Sequence, residues 1–267
     1  MIIIGYIIAV LIGVVLSLIG GGGSTLTVPL LVYLFGLDPV IATGYSFFII
    51  AVSSSIGLYP KYKDKLIDFR VALLFGIPSI ITILITRIFV LPIIPETIFN
   101  IGTFLFTKQI LVMVLFSVLM IYSSVTMIRG SNSKMVDENL KSNYSLLILQ
   151  GSIVGSLISL IGAGGGFLII PALVQFANLP MKKAVGTSLF IIALNSVFGF
   201  GGDLVKMNYN IDWQFILLLS MMAVVGIFIG NMISKKIAGS SLKKGFGWFI
   251  LIMGITILTG EILKNIK

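Results

Sequence analysis

The sequence predicts an all-α polytopic membrane protein built from two inverted-topology repeats, each a glycine-broken re-entrant hairpin followed by about three transmembrane helices. Three observations predict it. Of the 267 residues, 58% are hydrophobic and 10% charged, and the mean hydropathy is +1.16; a soluble domain holds roughly 45–50% apolar and about 25% charged residues. Long stretches free of Asp, Glu, Lys and Arg cover 1–37, 39–60, 71–86, 109–128, 142–181, 184–202, 213–234 and 245–260. Their apolar runs are continuous rather than alternating, which suits helices of about 20 residues and not a barrel. Third, residues 13–57 align without a gap with 155–199, at an offset of 142, and 21 of the 45 pairs are identical by direct count. Apolar composition alone matches Leu with Ile by chance, but it does not register Gly, Pro and Ser.

Taken in order, the N-terminal repeat covers 1–128, a hydrophilic cytoplasmic linker covers 129–143, and the C-terminal repeat covers 144–267. The three form one integrated membrane domain. Residues 2–19 form a first helical leg, Gly20–Gly23 break it, and 24–36 form a second leg. The matching pieces are 144–161, Gly162–Gly166 and 167–178. Consecutive glycines favour neither helix propagation nor a single conformation. Irregular backbone at membrane depth is tolerated only inside protein or against a wet cavity. A second leg of about 12–13 residues reaches roughly 18–20 Å, short of a ~30 Å hydrocarbon core. Each pair is therefore expected to be a re-entrant hairpin with its glycine tip near mid-membrane. Crossings are expected at 40–60, 67–90, 108–128, 183–201, 213–234 and 246–263. Segment 91–107, with Pro92 and Pro95, reads as an interfacial connection.

Three crossings per repeat, an odd number, invert the second repeat relative to the first. The connections 61–66, 129–143, 179–183 and 235–245 then share one side. With nearby Arg70 they carry 13 of the 18 basic residues. The positive-inside rule makes that side cytoplasmic and puts both termini outside. The start, Met1-Ile-Ile-Ile-Gly-Tyr, lacks the basic n-region of a secretory signal, so the first helix is expected to be retained. Fully crossing legs would give the same sidedness.

Inverted repeats with broken helices place a ligand at the repeat interface near the midplane. Helix N-termini there present unpaired N–H groups and partial positive charge. Glycine lets an anion come close to that backbone. The candidate anion-binding residues are Gly20, Gly21, Gly22, Gly23, Ser24 and Thr25 at the first tip, and Gly162, Ala163, Gly164, Gly165 and Gly166 at the second. Thr43, Ser46, Thr187, Ser188 and Asn195 join them from the crossings that follow, with Ser46 and Ser188 in matched positions. Thr27 also follows the first tip. Hydroxyls and amides donate to anionic oxygens without carrying charge. Two blander readings stand beside this one: small residues allow tight helix crossing, and Ser and Thr bond their own helix backbone. Arg87, near the outer end of its crossing, is expected to snorkel. The Lys61–Lys65 and Lys235–Lys244 clusters read as topology signals.

The sequence contains no Cys and no His, which removes disulfides, thiol chemistry, histidine relays and His- or Cys-held metals. Gly20–Thr25 lacks a P-loop lysine and follows a helix. No catalytic residues, cofactor, metal site or nucleic-acid partner are expected, and no nucleotide-binding segment supports an ATP-driven pump. Asp38, Asp64, Asp68, Glu96, Asp137, Glu138, Asp203, Asp212 and Glu261 are all expected at helix ends or in loops. With no buried acid to carry a proton, anion export is expected to run on the membrane potential, worth about 2.3 kcal/mol per charge per 100 mV.

The blocks Ile19-Gly-Gly-Gly-Gly-Ser with Pro29 and Ile161-Gly-Ala-Gly-Gly-Gly with Pro171, followed by Ala42-Thr-Gly-Tyr-Ser and Ala184-Val-Gly-Thr-Ser, resemble the sulfite exporter TauE/SafE family of membrane permeases. Length and the loop between halves extend the resemblance over essentially the whole chain. It implies seven or eight membrane segments and an exporter of small organosulfur anions such as sulfite or sulfoacetate-like sulfonates. It also implies residence in the inner (plasma) membrane of a bacterium. The partners expected are a small anionic substrate and the lipid bilayer, with homo-oligomerisation left open. Gly21 and Ser24 stand where the second block has Ala163 and Gly166, so the two walls of such a site differ. The competing readings are a non-transporting scaffold subunit and a transporter of another small anion or of a metal cation.

Overall fold

The computed structural model describes residues 2–19, 22–101, 104–129, 144–162, 164–206, 211–234 and 239–266. Gly20, Gly21, Ala163 and residues 130–143 of the linker lie outside this set. Helix α1 covers Ile2–Ile19, and the inner leg α2 covers Gly23–Leu34. Then follow α3 (Pro39–Lys63) and α4 (Phe69–Ile93). In the second half, α6 (Tyr144–Ile161), α7 (Gly166–Phe176), α8 (Met181–Lys206) and α9 (Trp213–Ser234) occupy the equivalent places, flanked by α5 (Lys108–Arg129) and α10 (Gly239–Ile266). Six described helices are long and apolar enough to cross a membrane: Pro39–Lys63, Phe69–Ile93, Lys108–Val125, Tyr144–Ile161, Met181–Val205 and Trp213–Ile233. The chain is thus an all-α polytopic membrane protein.

Local chemistry sets the helix ends. Asp38 accepts the Val40 N–H (2.8 Å) ahead of Pro39, which is pre-set for a first helical turn. Asp68 caps α4 through the Val71 N–H, and Asp212 caps α9 through the Phe215 N–H. Helix α4 outruns the expected 67–90. It passes through a π-helical turn at Thr86–Val90 and continues over Leu91–Ile93. Pro92 cannot donate to the ladder, and the wider turn absorbs the defect. Leg α2 is less regular than expected. A 3-10 turn at Gly22–Leu26 leads through Pro29 to a π turn at Leu30–Leu34. Segment 91–107 holds a small antiparallel β-hairpin, β1 (Thr97–Ile101) with β2 (Phe104–Thr107). Its Phe99 and Phe106 rings stack at 4.6 Å.

The bundle turns its polar side chains inward and its apolar stripes outward. Ile4, Ile7 and Leu11 on α1, Leu73, Ile77, Ile81 and Ile85 on α4, and Leu217, Met221, Val225, Phe228 and Met232 on α9 are exposed at helical spacing. Ser24, Thr25, Ser46, Ser54, Thr187, Ser188 and Asn195 are fully buried. That arrangement suits a hydrocarbon solvent and would be costly in water.

Exchange of the two halves maps the main contacts onto themselves. Helix α1 lies on α9, and its counterpart α6 lies on α4; α3 pairs with α8, and α5 with α10. Glycines make both outer-leg seams. A Cβ at Gly13 would fall 1.8 Å from the Ala223 carbonyl oxygen, and one at Gly226 would fall 1.9 Å from that of Val10. Across the molecule, Gly151 meets the Phe75 carbonyl and Gly155 that of Ser79. Contacts also fix direction. Phe48 stacks near Phe200 (5.1 Å), whereas Ile50 and Ile192 both flank Gly164, so α3 and α8 run antiparallel. Asp68 bonds Thr187, and Ser79 bonds Asn195, so α4 and α8 run parallel.

Candidate functional site

The two hairpin tips meet inside the bundle. A Cβ on Gly164 would sit 3.2 Å from Ser24 Cβ, 2.9 Å from Ile50 and 3.3 Å from Ile192. Ile50 is the twelfth of 25 residues in α3, and Ile192 the twelfth of 26 in α8. The meeting point therefore lies midway along both central helices. Gly162, Gly164 and Gly165 adopt φ of +70°, +61° and +75°, a left-handed backbone that costs L-residues roughly 1–2 kcal/mol. This chain reversal lets α7 start at Gly166, with Gly165 giving no side-chain cap to its first turn.

Ser46 donates both to the Thr43 carbonyl (2.9 Å) and to the Gly162 carbonyl of the second tip. Thr43 donates to Val40 O (2.7 Å), and its Cβ lies 2.3 Å from where a Gly162 Cβ would stand. Ser123 of α5 donates to the Phe167 carbonyl (2.8 Å), which ties that helix to the first turn of α7. At the first tip, Gly22 opens the 3-10 turn, and a Cβ at Gly23 would strike the Ile12 carbonyl at 2.3 Å. Ser24 and Thr25 follow directly, fully buried, with interactions of their own. Close packing thus accounts for Gly23 and Gly162, while Gly164 faces the opposite tip.

The crossing residues divide between two places. Ser46 reaches the tip. Ser188 donates to Val185 O (2.9 Å) on its own helix. Thr187 lies lower on α8, where its hydroxyl accepts the Asp68 N–H at 2.9 Å. The repeat-equivalent Tyr45 hydroxyl accepts the Asp212 N–H at 2.8 Å. Positions 45 and 187 therefore perform one structural task twice, anchoring the aspartate that caps the next crossing. Asn195 donates to Ser79 Oγ (2.8 Å), and its buried carbonyl oxygen has no hydrogen-bond partner among the described residues, as is true of the Thr27 and Ser196 hydroxyls. A cavity of about 230 Å³ lies between α5, α6 and α7 rather than between the tips. Its lining runs from Phe176 at the end of α7 to Phe167 in its first turn and includes Tyr122, Ser123 and Gln150.

Two charged residues depart from the expectations. Arg87 does not snorkel; it is 1% exposed, and its guanidinium lies 4.7 Å from the Phe47 ring centroid. Asp203 lies in the last turn of α8, as expected, but it is 3% exposed, with an oxygen 3.1 Å from Arg87 Nη1. Gly202 admits the Arg87 stem (3.1 Å) and Gly199 the Phe47 ring (2.9 Å), so small residues on α8 let the pair close. Among the described residues neither partner makes an aligned hydrogen bond. Breaking a buried pair typically costs ~3–5 kcal/mol, yet replacing both partners by apolar groups is often neutral. What the sequence did not show is the burial of Asp203, not its place at a helix end. The expected crossing 183–201 is longer in the structure, where a helix packed against α3 and α4 runs through to Lys206. The missed signal was Arg87 itself, a cation between the charge-free runs 71–86 and 88–95.

Comparison with known proteins decides the class. Residues 5–257 match the model of the family described as Sulfite exporter TauE/SafE. The chain belongs to that family. Among TauE/SafE relatives it is 27% identical over 270 residues to a probable membrane transporter protein of Methanocaldococcus jannaschii, covering 97% of this chain and 94% of that one. It is 26% identical to one from Xylella fastidiosa (93% and 91% covered) and 27% identical to YunE of Bacillus subtilis (94% and 95%), both also described as probable membrane transporters. No solved structure matches the chain. Membership makes this a multi-pass protein of a membrane transporter family.

Proposed function

We propose that the protein carries a small organosulfur anion such as sulfite or a sulfonate across the membrane, in the export direction. The anion is held where the two glycine tips meet, and the protein works by alternating access between inverted repeats. The observation that carries this reading is the apposition of Ser24 and Gly164 at mid-length of α3 and α8. It brings a buried hydroxyl from one half to the uncapped helix start of the other. Such a pocket favours a small anion, because N–H groups and hydroxyls donate without bringing a counter-charge. The antiparallel course of the equivalent helices α3 and α8 supports the inverted relation. The description of the family as sulfite exporters supports a sulfur oxyanion. The residence proposed is a bacterial cytoplasmic membrane with both termini outside.

The test is a binding screen on purified protein against sulfite, sulfoacetate, taurine, sulfate and acetate. Saturable binding of sulfite or a sulfonate ahead of acetate is expected. Tight packing at Gly23 and Gly162 favours a second reading, a non-transporting scaffold whose glycines serve assembly alone. That reading gains if no anion binds and tip variants impair only folding.

A further inference from the structure

We propose that Arg87 and Asp203 form an exchangeable ion pair: the transported anion displaces Asp203 from Arg87, and Asp203 takes up one proton as the anion arrives. This rests on the anion-transport reading above and adds a second station and a coupling ion to it.

Position comes first. Ser159, near the end of α6, donates to the Ile83 carbonyl of α4 at 3.2 Å. Arg87 is one helical turn further along α4, level with the place where α6 gives way to the second tip. Phe47, whose ring covers the guanidinium, directly follows Ser46, which bonds Gly162 of that tip. The ion pair is thus linked to the second tip through Phe47 and Ser46, while along α8 Asp203 lies eleven residues, roughly 16 Å, beyond Ile192. It lies toward the end of the bundle opposite Lys61, Lys63, Lys182 and Lys183. Arg87 also sits on the π-helical turn Thr86–Val90, a local irregularity common at functional sites. It comes from the first half of the chain and Asp203 from the second, so the contact bridges the two repeats.

Chemistry comes next. Among the described residues, the Arg87 Nε, Nη1 and Nη2 atoms are all buried without an aligned hydrogen-bond partner. Both Asp203 oxygens are in the same condition. A structural pair would be expected to satisfy its donors and acceptors, since contact alone seldom offsets the desolvation of two charges. A planar guanidinium with unused donors is well suited to a sulfonate or sulfite, which can accept two of them side by side. Once that happens, Asp203 is left as a buried carboxylate without a counter-charge, a state that membrane interiors do not tolerate. The exchange balances as Arg⁺·Asp⁻ plus A⁻ plus H⁺ giving Arg⁺·A⁻ plus AspH. A monoanion then moves with one proton and no net charge.

Other titratable groups on the elements packed against α8 lie elsewhere. Arg70 of α4 lies over the Tyr144 ring. On α3, Tyr45 bonds the Asp212 N–H, while Tyr59, Lys61, Tyr62 and Lys63 lie at its far end. Lys182 and Lys183 are exposed at the start of α8, and α7 has no titratable residue. The side chain of Lys206, three residues beyond Asp203, lies outside the described set.

The experiment is calorimetric titration of purified full-length protein with the five compounds of the screen, in two buffers of different ionisation enthalpy, beside flux in proteoliposomes. About one more proton per anion is expected for wild type than for Asp203→Asn, the difference removing protons that a ligand such as sulfite exchanges by itself. The Asp203→Asn variant binds more tightly because the competing carboxylate is gone. Arg87→Gln weakens binding about 10- to 100-fold, the range for losing a charge-assisted contact. The neutral double variant R87Q/D203N separates site from scaffold: it melts like wild type but does not transport. Anion binding without proton uptake, or a double variant that binds and transports like wild type, overturns the exchange while leaving the transport reading standing. A wild type that binds none of the five overturns both.

Discussion

At the residue scale, Gly162 and Gly36 form a natural control pair. Both have positive φ, +70° and +68°, but a Cβ at Gly162 would overlap Thr43 whereas nothing lies within 4 Å of one at Gly36. Gly36→Ala is expected to cost only the left-handed backbone, roughly 1–2 kcal/mol. Gly162→Ala adds the overlap with α3 and should lower the melting temperature in detergent clearly further. Equal losses would mean that the second tip is not packed as described. Ser24→Ala probes the opposite wall. If its hydroxyl donates to the anion, affinity should fall about 10- to 100-fold in the titration. This is also the scale at which sequence reasoning fell short. Gly162, Gly164 and Ser46 were legible because the duplication registers them with their counterparts. Arg87 and Asp203 lie outside the aligned blocks, and their burial depends on which glycine faces which helix, a property of packing rather than of spacing.

At the element scale, the outer legs are held by backbone-to-backbone seams, Gly13 and Gly226 on one side of the molecule and Gly151 and Gly155 on the other. Helix association in lipid relies on such close approach, because apolar side chains gain nothing over lipid tails. Gly226→Leu and Gly151→Leu are each expected to force a seam apart and to reduce the yield of folded, monodisperse protein in size-exclusion chromatography. Gly201→Leu, with open space around it, should leave that yield near wild type. Most element positions were readable from charge-free runs and caps. The departures share a cause in proline. Pro29 and Pro92 each accompany a π-helical turn, the first making leg α2 less regular and the second carrying α4 past its expected end at 90. The β-hairpin Thr97–Thr107 was not anticipated, since Pro92 and Pro95 drew attention away from the β-favouring Thr, Ile and Phe beside them.

At the scale of the whole molecule, the 13-to-5 division of basic residues carries the proposed orientation. A cysteine at Lys63 is expected to resist a membrane-impermeant maleimide in intact cells and to react after permeabilisation. The chain has no native Cys to confuse the readout. Labelling of K63C from outside would reverse the topology and the direction assigned to every helix. Coupling belongs to this scale as well. Under the proposed Arg87–Asp203 exchange, flux of a monoanion should follow an imposed pH gradient and respond little to an imposed potential, whereas potential-driven export predicts the reverse. The central claim is more local than either of these. It is that one anion sits between the tips, and a structure determined with sulfite or sulfoacetate bound tests it directly. The account predicts the ligand beside Ser24 and Gly164, at mid-length of α3 and α8. A ligand bound more than one helical turn from both tips, for example within the cavity lined by Tyr122, Gln150 and Phe176, would contradict it.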